Sequence, residues 1–301
     1  MIDIIITSYN EPKATLRAVK AFLNQKIKTD IRITVVDPFE EVGQFLKKHI
    51  KNKNFVFFLD PGEGKSYALN LLFQEYASQN KNDLFILTDG DVFVSETSLF
   101  NIIKSFKNKE IGCVTGKPVP IESRDTKYGY WANLLFSGID KVRQKLSEKQ
   151  EFFECSGYLF AIRKGVIIDF PMETCEDSII PYLFWKKGYK IKYVPEAKVY
   201  VKNPSNIKDW INQKIRNIKG HENLNNVAPD MPRTKSFFNE IKEGAVFALT
   251  YPKNIGEFFW TIELYFSRLY IYLRAFFELR KSRKYSDGWR ENPIESTKPF
   301  D

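Results

Sequence analysis

Two aspartates, Asp89 and Asp91, stand one residue apart directly after the apolar run Leu84–Thr88, which reads as a buried strand. Carboxylates at this spacing can share a divalent cation and a ribose, and Gly90 between them lets the backbone approach a ligand closely. A bound diphosphate needs such a cation, because the carboxylates would otherwise repel its charge. Alone, the motif also fits an ordinary turn. Its interpretation therefore depends on which residues at the ends of the other strands lie near it.

A second polar segment, Gly62-Glu63-Gly64-Lys65-Ser66, follows the predicted strand Phe55–Leu59. The P-loop of nucleoside triphosphatases requires a glycine where Leu59 stands, which excludes that motif. A lysine that opens a helix after two glycines can still face a diphosphate, and the helix N-terminus adds partial positive charge there. The sequence therefore predicts Lys65 beside phosphates, with a glycine-rich turn that leaves this lysine in solvent as the alternative.

Two later segments carry further groups suited to proton transfer and phosphate binding. Glu176 and Asp177 open a predicted short helix, where a carboxylate can act as a general base or simply stabilise the helix start. Gln213 and Arg216 lie at i and i+3 on one face of a later helix, where they could hold a departing phosphate. The alternative for this second pair is a solvated basic face.

The elements that must position these residues alternate between short apolar runs and longer helical patterns. The predicted strands are Ile2–Thr7, Ile31–Asp37, Phe55–Leu59, Leu84–Thr88 and Gly112–Thr115. The predicted helices are Pro12–Gln25, Phe39–Ile50, Lys65–Ser78 and Glu96–Phe106, the last with Ser95 as its N-cap. This alternation predicts an α/β fold, a mostly parallel sheet with helices on both faces. Ligands bind such sheets at the carboxyl ends of the strands, which are polar and acidic here.

After residue 150 the pattern changes. The predicted strands are Phe152–Ile162, Lys190–Val194 and Ala197–Val201, and the predicted helices are Glu176–Lys186 and Asn206–Asn223. From Ser236 onward the chain is helical and rich in aromatic residues. We place a soft boundary near residue 203, which divides the chain into a catalytic domain, 1–203, and a helical annex, 204–301.

Composition narrows the classes of partner. The 301-residue chain has a net charge of +9, two histidines and three cysteines without Cys-x-x-Cys spacing. A metal site must therefore rest on carboxylates, which select a hard cation such as Mg²⁺ or Mn²⁺. The basic balance favours anionic partners, but the acidic ligand face argues against nucleic acid. We expect neither a signal peptide nor a transmembrane helix, and hence a cytoplasmic protein.

Together the motifs resemble those of family 2 glycosyltransferases of the GT-A fold, which include cellulose, hyaluronan and dolichyl-phosphate-mannose synthases. The resemblance covers roughly residues 2–220, and the order and spacing of the motifs make it specific. The matching segments are Thr7-Ser8-Tyr9-Asn10-Glu11-Pro12, Val35-Val36-Asp37, Gly64-Lys65-Ser66-Tyr67-Ala68-Leu69-Asn70, Asp89-Gly90-Asp91, Cys175-Glu176-Asp177 and Gln213-x-x-Arg216. The resemblance implies a Rossmann-like GT-A sheet.

The resemblance also implies roles for the residues that would bind the donor. The residues that would line the nucleotide pocket are Thr7, Tyr9 and Glu11. Asp37 would hydrogen-bond the base, expected to be uracil, and Lys65 would lie near the donor. The family usually has a second acidic or polar residue after the Asp37 position, whereas Pro38-Phe39 follow here.

For the reaction itself, the resemblance implies an inverting, metal-dependent transfer of a hexose from a nucleoside-diphosphate sugar. Asp89 would bind ribose or sugar and Asp91 the metal ion. Asp177 would deprotonate an acceptor hydroxyl, while Gln213 and Arg216 would hold the diphosphate as it leaves. Asn217 stands where processive synthases commonly have tryptophan, which favours a single transfer. The alternatives are a sugar nucleotidyltransferase and an inactive module that binds nucleotide sugars or membranes.

The annex contains an aromatic amphipathic segment, Glu257–Leu279, followed directly by the basic cluster Arg280, Lys281, Arg283 and Lys284. Such a helix suits the surface of an anionic membrane. In the synthases that this chain resembles, the region after Gln-x-x-Arg lies along the membrane interface, so the resemblance implies a peripheral enzyme on the cytoplasmic face that acts on a glycan or lipid-linked acceptor. A helix packed on the catalytic domain, or on a second copy in a homo-oligomer, is the alternative.

Overall fold

The computed structural model describes residues 1–78, 80, 82–172, 174–232, 237–281 and 297. The strands are β1 (Ile2–Thr7), β2 (Ile31–Asp37), β3 (Phe55–Leu59), β4 (Leu84–Asp89), β5 (Phe93–Val94), β6 (Ile111–Pro120), β7 (Phe160–Arg163) and β8 (Lys190–Val201). The helices are α1 (Pro12–Leu23), α2 (Glu40–His49), α3 (Lys65–Glu75), α4 (Ser98–Ser105), α5 (Lys127–Glu148), α6 (Glu176–Lys186), α7 (Ile207–Val227), α8 (Phe237–Thr250) and α9 (Ile255–Lys281).

The strands form one eight-stranded sheet in the order β3-β2-β1-β4-β7-β6-β8-β5. The pairs β1–β2, β1–β4, β2–β3 and β6–β8 are parallel, whereas β7 is antiparallel to β4 and β6, and β5 is antiparallel to β8. The predicted α/β fold with a mainly parallel sheet is therefore confirmed, and the antiparallel strands lie beyond β4.

Helices cover both faces of this sheet, as predicted. One buried cluster joins the sheet to α1, α2 and α4 through residues such as Val19, Leu46 and Ile102. A second cluster joins the opposite face to α3 and α6, for example through Leu69 and Ile180. Because a parallel sheet buries both faces, β1 to β4 consist mainly of Ile, Val, Phe and Leu, with few polar residues before their last positions.

A third apolar cluster lies outside these two layers and joins α5, α7, α8 and α9. Its buried members are Tyr130, Trp131, Leu134, Trp210, Ile215, Ala248, Leu264, Ile271 and Ala275. Helix α5 precedes the proposed boundary at residue 203 and the other three follow it, and that boundary stays a prediction. The basic cluster Arg280, Lys281, Arg283 and Lys284 lies outside the described side chains. Among the described helices, none has the length and apolar character needed to cross a membrane.

The segment predicted as the strand Phe152–Ile162 is a strand only from Phe160 onward. Its first half is buried, yet its N–H groups bond elsewhere: Cys155 N–H donates to the Asp177 carbonyl and Ser156 N–H to Thr115 Oγ1. The apolar residues of this segment therefore indicate burial, but the segment does not pair with a neighbouring strand. Two other predictions need correction: β8 is one continuous strand with a register shift, and Thr97, not Ser95, precedes the helix at Ser98.

Candidate active site

The parallel strands bring the predicted donor residues to one edge of the sheet. In the register of β1 and β4, Thr7 lies opposite Asp89, and the Thr7 hydroxyl donates to Asp89 Oδ1 at 3.1 Å. On the other side of β1, Thr7 pairs with Val36, which adjoins Asp37 at the end of β2. The ends of three neighbouring strands therefore form one polar cluster.

Asp37 is fully buried at this edge and shapes the loop that follows β1. One carboxylate oxygen accepts the N–H of Asn10 and the other that of Phe39, both at 2.9 Å. Asn10 has a φ of +53°, a left-handed conformation that this bond supports. The Tyr9 ring packs edge-on against Phe39, with centroids 5.0 Å apart. Both carboxylate oxygens of Asp37 thus fix the loop between β1 and α1 and the start of the segment after β2.

Lys65 links carboxylates from two different elements. Its Nζ lies 2.7 Å from Asp89 Oδ1 and 2.5 Å from Glu176 Oε1. Burial by itself would lower the pKa of Lys65, but Asp89 and Glu176 outweigh it and raise that pKa, so the ammonium stays charged. Gly64, with a φ of +104°, forms the turn that starts α3 with Lys65 as its first residue. Lys65 is therefore not the solvent-exposed lysine of the alternative interpretation.

The adjacent acids Glu176 and Asp177 have different surroundings. Burial raises the pKa of Glu176 to about 7, with Lys65 opposing the rise and Asp177 and Asp89 adding to it. Burial disfavours the charged form of both Lys65 and Glu176. At Lys65 the attraction of two carboxylates exceeds this penalty, whereas at Glu176 the attraction of one ammonium does not. Asp177 instead accepts the main-chain N–H of Gly157 at 3.3 Å. In the described chain no cationic side chain forms an ion pair with it.

Asp91 has the surroundings of a metal ligand. Its Oδ1 is buried and has no hydrogen-bond partner among the described residues. Burial, followed by the charges of Asp89 and Glu11, raises the pKa of Asp91 to about 7. A divalent cation would satisfy this oxygen and offset the repulsion, so these residues fit Mg²⁺ or Mn²⁺. In the described parts of the chain no three His, Cys, Asp or Glu side chains group into a metal site, so phosphate oxygens of a donor would have to complete the coordination.

Helix α7 brings Arg216 of the last predicted pair to the same region. Gln213 is buried, and the charge of Arg216 acts on the side chain of Tyr158. Sequence reasoning missed Tyr158. Burial raises its pKa, the charges of Asp91, Asp89 and Asp177 add to the rise, and Arg216 opposes it. Tyr158 therefore lies within electrostatic range of residues from β4, α6 and α7, and the break Ser156-Gly157 in the predicted strand was the cue to it.

Comparison with known proteins gives curated relatives whose names concern N-acetylglucosamine. Poly-β-1,6-N-acetyl-D-glucosamine synthase of Staphylococcus aureus (strain COL) is 25% identical over 235 residues, which cover 74% of this chain and 55% of the relative. An N-acetylglucosaminyltransferase of Rhizobium meliloti (strain 1021) is 22% identical over 240 residues, covering 71% of this chain and 54% of the relative. The chain thus spans about half the length of the curated relatives it matches.

The fold has a similar solved counterpart, the mannosyltransferase PcManGT from Pyrobaculum calidifontis in complex with GDP-Man and Mn²⁺. The TM-score is 0.58 at 15% identity, and the match covers 93% of this chain and 75% of that structure. This likeness supports the GT-A fold. The family model for glycosyl transferase family 2 matches residues 3–170, more than half of the chain. The chain belongs to glycosyl transferase family 2.

Proposed function

We propose that the protein transfers a sugar from a nucleoside-diphosphate sugar to an acceptor hydroxyl, with inversion at the anomeric carbon. The observation that carries this proposal is the convergence of Lys65, Asp89, Asp91 and Asp177 at one edge of the sheet. The cluster offers a cation-binding carboxylate, a charged lysine and a carboxylate without a cationic partner. These are the groups that a transfer from a diphosphate leaving group needs.

The donor is bound at the ends of β1 and β2. Asp37 accepts a hydrogen bond from the base, expected to be uracil, while the loop with Tyr9 and Glu11 flanks the nucleotide and Thr7 lies beside it. The names of the curated relatives, which concern N-acetylglucosamine transfer, make UDP-N-acetylglucosamine the first donor to test. Lys65 lies near the sugar end of the donor, and Asp89 binds ribose or sugar.

In the proposed reaction Asp177 takes the proton of the acceptor hydroxyl. The acceptor oxygen then bonds to the anomeric carbon as the bond from that carbon to the diphosphate oxygen breaks, and the nucleoside diphosphate leaves with the electron pair. Gln213 and Arg216 hold this diphosphate. Mg²⁺ or Mn²⁺, held by Asp91, would neutralise charge on the diphosphate when bound.

The first prediction concerns nucleotide and metal binding. Thermal melting with UDP, GDP, ADP or CDP, each with and without Mn²⁺, should show stabilisation by one nucleotide that Mn²⁺ increases, because a ligand that binds only the folded state raises its stability. Asp91→Ala should remove the Mn²⁺-dependent part and abolish sugar transfer. The control is Asp230→Asn, since Asp230 is an exposed acid paired with Lys186.

Two results would contradict this proposal. One is full-rate sugar transfer by the chelator-treated enzyme, which would remove Asp91 from the mechanism. The other is a parent protein that no nucleoside diphosphate stabilises under any of these conditions, which would favour an inactive module that binds membranes.

A further inference from the structure

The main chain around Tyr158 is fixed between two halves of the proposed site. The Tyr158 carbonyl accepts the Thr88 hydroxyl at 2.7 Å, and Thr88 directly precedes Asp89. The preceding residue, Gly157, donates its N–H to Asp177 Oδ2. Residue 158 therefore bridges the end of β4 and the start of α6, the elements that carry the proposed metal ligand and the proposed base.

The Tyr158 side chain enters the space between these elements. Its ring lies near Phe136 of α5, with centroids 6.3 Å apart, and packs against the edge of the apolar core. Asp91, Asp89, Asp177 and Arg216 all act electrostatically on its hydroxyl. In the described part of the chain this hydroxyl makes no hydrogen bond, so its donor and acceptor capacity remains available to a ligand.

The chemistry of the hydroxyl limits what it can do there. Burial and three carboxylates hold the pKa of Tyr158 well above its usual range, so the phenol stays protonated and neutral. It is therefore unsuited to proton transfer near neutral pH but suited to donating a hydrogen bond. A neutral donor between carboxylates matches the hydroxyl or ring oxygens of a sugar, whereas a diphosphate is better matched by the charges of Arg216 and a bound cation.

We propose that the Tyr158 hydroxyl donates a hydrogen bond to the transferred sugar and holds it between Asp89 and Asp177. This inference rests on the proposed function. It assigns Tyr158 to the recognition of the sugar, not of the nucleotide. The interaction would align the anomeric carbon with the acceptor oxygen, which is where orientation contributes to rate.

The test is Tyr158→Phe, which removes the hydroxyl and keeps the ring. Calorimetry should measure the affinities for UDP and UDP-N-acetylglucosamine, and for GDP and GDP-mannose, in the presence of Mn²⁺. For the pair that the parent binds, we expect the nucleoside diphosphate to bind the variant within about twofold of the parent. The sugar nucleotide should lose about tenfold, the size of one lost hydrogen bond, and kcat/KM should fall by at least as much.

The matched control is Tyr193→Phe, because the Tyr193 hydroxyl donates to Asp140, away from the proposed site. It should leave both affinities unchanged. Equal losses for the nucleoside diphosphate and the sugar nucleotide in Tyr158→Phe would assign the hydroxyl to the nucleotide or to structure, and parental values for both would remove it from the site; either overturns the inference. A parent that binds neither sugar nucleotide overturns the proposed function as well.

Discussion

At the scale of residues, the adjacent acids Glu176 and Asp177 differ in the groups that they contact. Glu176 Oε1 lies 2.5 Å from Lys65 Nζ, whereas Asp177 accepts two long hydrogen bonds, from the Gly157 N–H at 3.3 Å and from the Ser178 hydroxyl at 3.5 Å. The Lys65 ammonium occupies Oε1 of Glu176, whereas no described cationic side chain pairs with Asp177, whose carboxylate is therefore open to an acceptor hydroxyl. Spacing along the helix left the choice between the two acids open, and their contacts now support Asp177.

The second prediction separates these two acids. Asp177→Asn keeps the shape of the side chain but removes its basicity, so kcat should fall by about 10²–10⁴ while the affinity for the sugar nucleotide stays near parental. Glu176→Gln should reduce kcat less and weaken donor affinity more, because it releases Lys65 from one of its two carboxylates. Steady-state kinetics and calorimetry on both variants give the comparison. Near-parental turnover in Asp177→Asn with a dead Glu176→Gln would reverse the assignment.

At the scale of elements, the first strands of the sheet could be predicted from the sequence. The runs Ile2–Thr7, Ile31–Asp37 and Phe55–Leu59 are strands with the predicted bounds, because each is a short apolar run that ends at a turn. The sequence analysis did not predict helix α5, which is 22 residues long. Its buried residues, such as Trp131, do not form a single apolar face at helical spacing, because they pack against several elements, including α9. The periodicity of a single segment cannot show which later helix will pack against it.

The site shows the same division. The residues at strand ends, such as Thr7 and Asp89, followed from the fold, because parallel strands end at a common edge. Tyr158 did not, since only tertiary structure brings its loop between β4 and α6. Gly90 was expected to admit a ligand, yet a Cβ there would lie 2.9 Å from Thr15 Oγ1 and 3.0 Å from Ser8 Cβ. The glycine therefore also lets the loop pack against α1.

A partly buried ion pair adds to the apolar contacts that attach α9. Arg124 donates from Nε and from one terminal nitrogen to the two oxygens of Glu257, each at 2.6 Å, and also to the carbonyl of Tyr251. The hydrogen bonds from Arg124 hold the pKa of Glu257 below its usual range, so this stabilisation is present at neutral pH and is lost as the pH falls through that lowered pKa. Glu257 thus joins the first turn of α9 to the segment that precedes α5.

The third prediction tests this attachment. Glu257→Gln should lower the free energy of unfolding by about 1.5–3 kcal/mol at neutral pH, because it breaks a charged bidentate pair, and the loss should shrink in acid. The control Glu263→Gln breaks the exposed pair with Lys127 and should cost less than about 1 kcal/mol. Urea denaturation at several pH values measures both. Equal effects of the two variants would contradict a special role for Arg124–Glu257.

At the scale of the whole molecule, α9 has two apolar faces. One face carries buried residues, such as Leu264 and Ile271, that pack in the third cluster. The other face is open: Phe266 is 69% exposed and Ile255 76% exposed. The exposed apolar residues of α9 are Ile255, Phe258, Phe259, Ile262, Phe266, Leu269, Tyr270, Leu273, Phe276 and Phe277. Their spacing of three to four residues makes a continuous apolar strip, and contiguous exposed apolar residues of this kind mark a protein or membrane contact.

This strip is compatible with both remaining interpretations of the annex. Packing on the body of the protein accounts for one face of α9 and leaves the other for a membrane surface or a second copy. The net charge of +9 favours an anionic bilayer over a second, equally cationic copy. We therefore propose a peripheral association with the cytoplasmic leaflet, where a lipid-linked acceptor would be within reach.

The last prediction tests that association with vesicles of phosphatidylcholine, with and without phosphatidylserine. The parent should bind better to the anionic vesicles, and Phe259→Ser combined with Phe266→Ser should weaken binding to both kinds more than about tenfold, because each lost aromatic forfeits apolar burial. Reversal of Arg280, Lys281, Arg283 and Lys284 to glutamate should weaken only the anionic case, by about 1 kcal/mol per cation near the surface.

Phe100→Ser is the matched control, since Phe100 is 56% exposed on α4 and lies outside the strip. It should bind vesicles like the parent, because the prediction concerns the face of α9 and not exposed aromatics in general. Co-sedimentation measures the bound fraction, and sedimentation velocity without lipid measures self-association. If the parent does not bind vesicles but dimerises, and the variant with Phe259→Ser and Phe266→Ser does not dimerise, the strip is instead a contact with a second copy. In that case, the acceptor need not be membrane-bound.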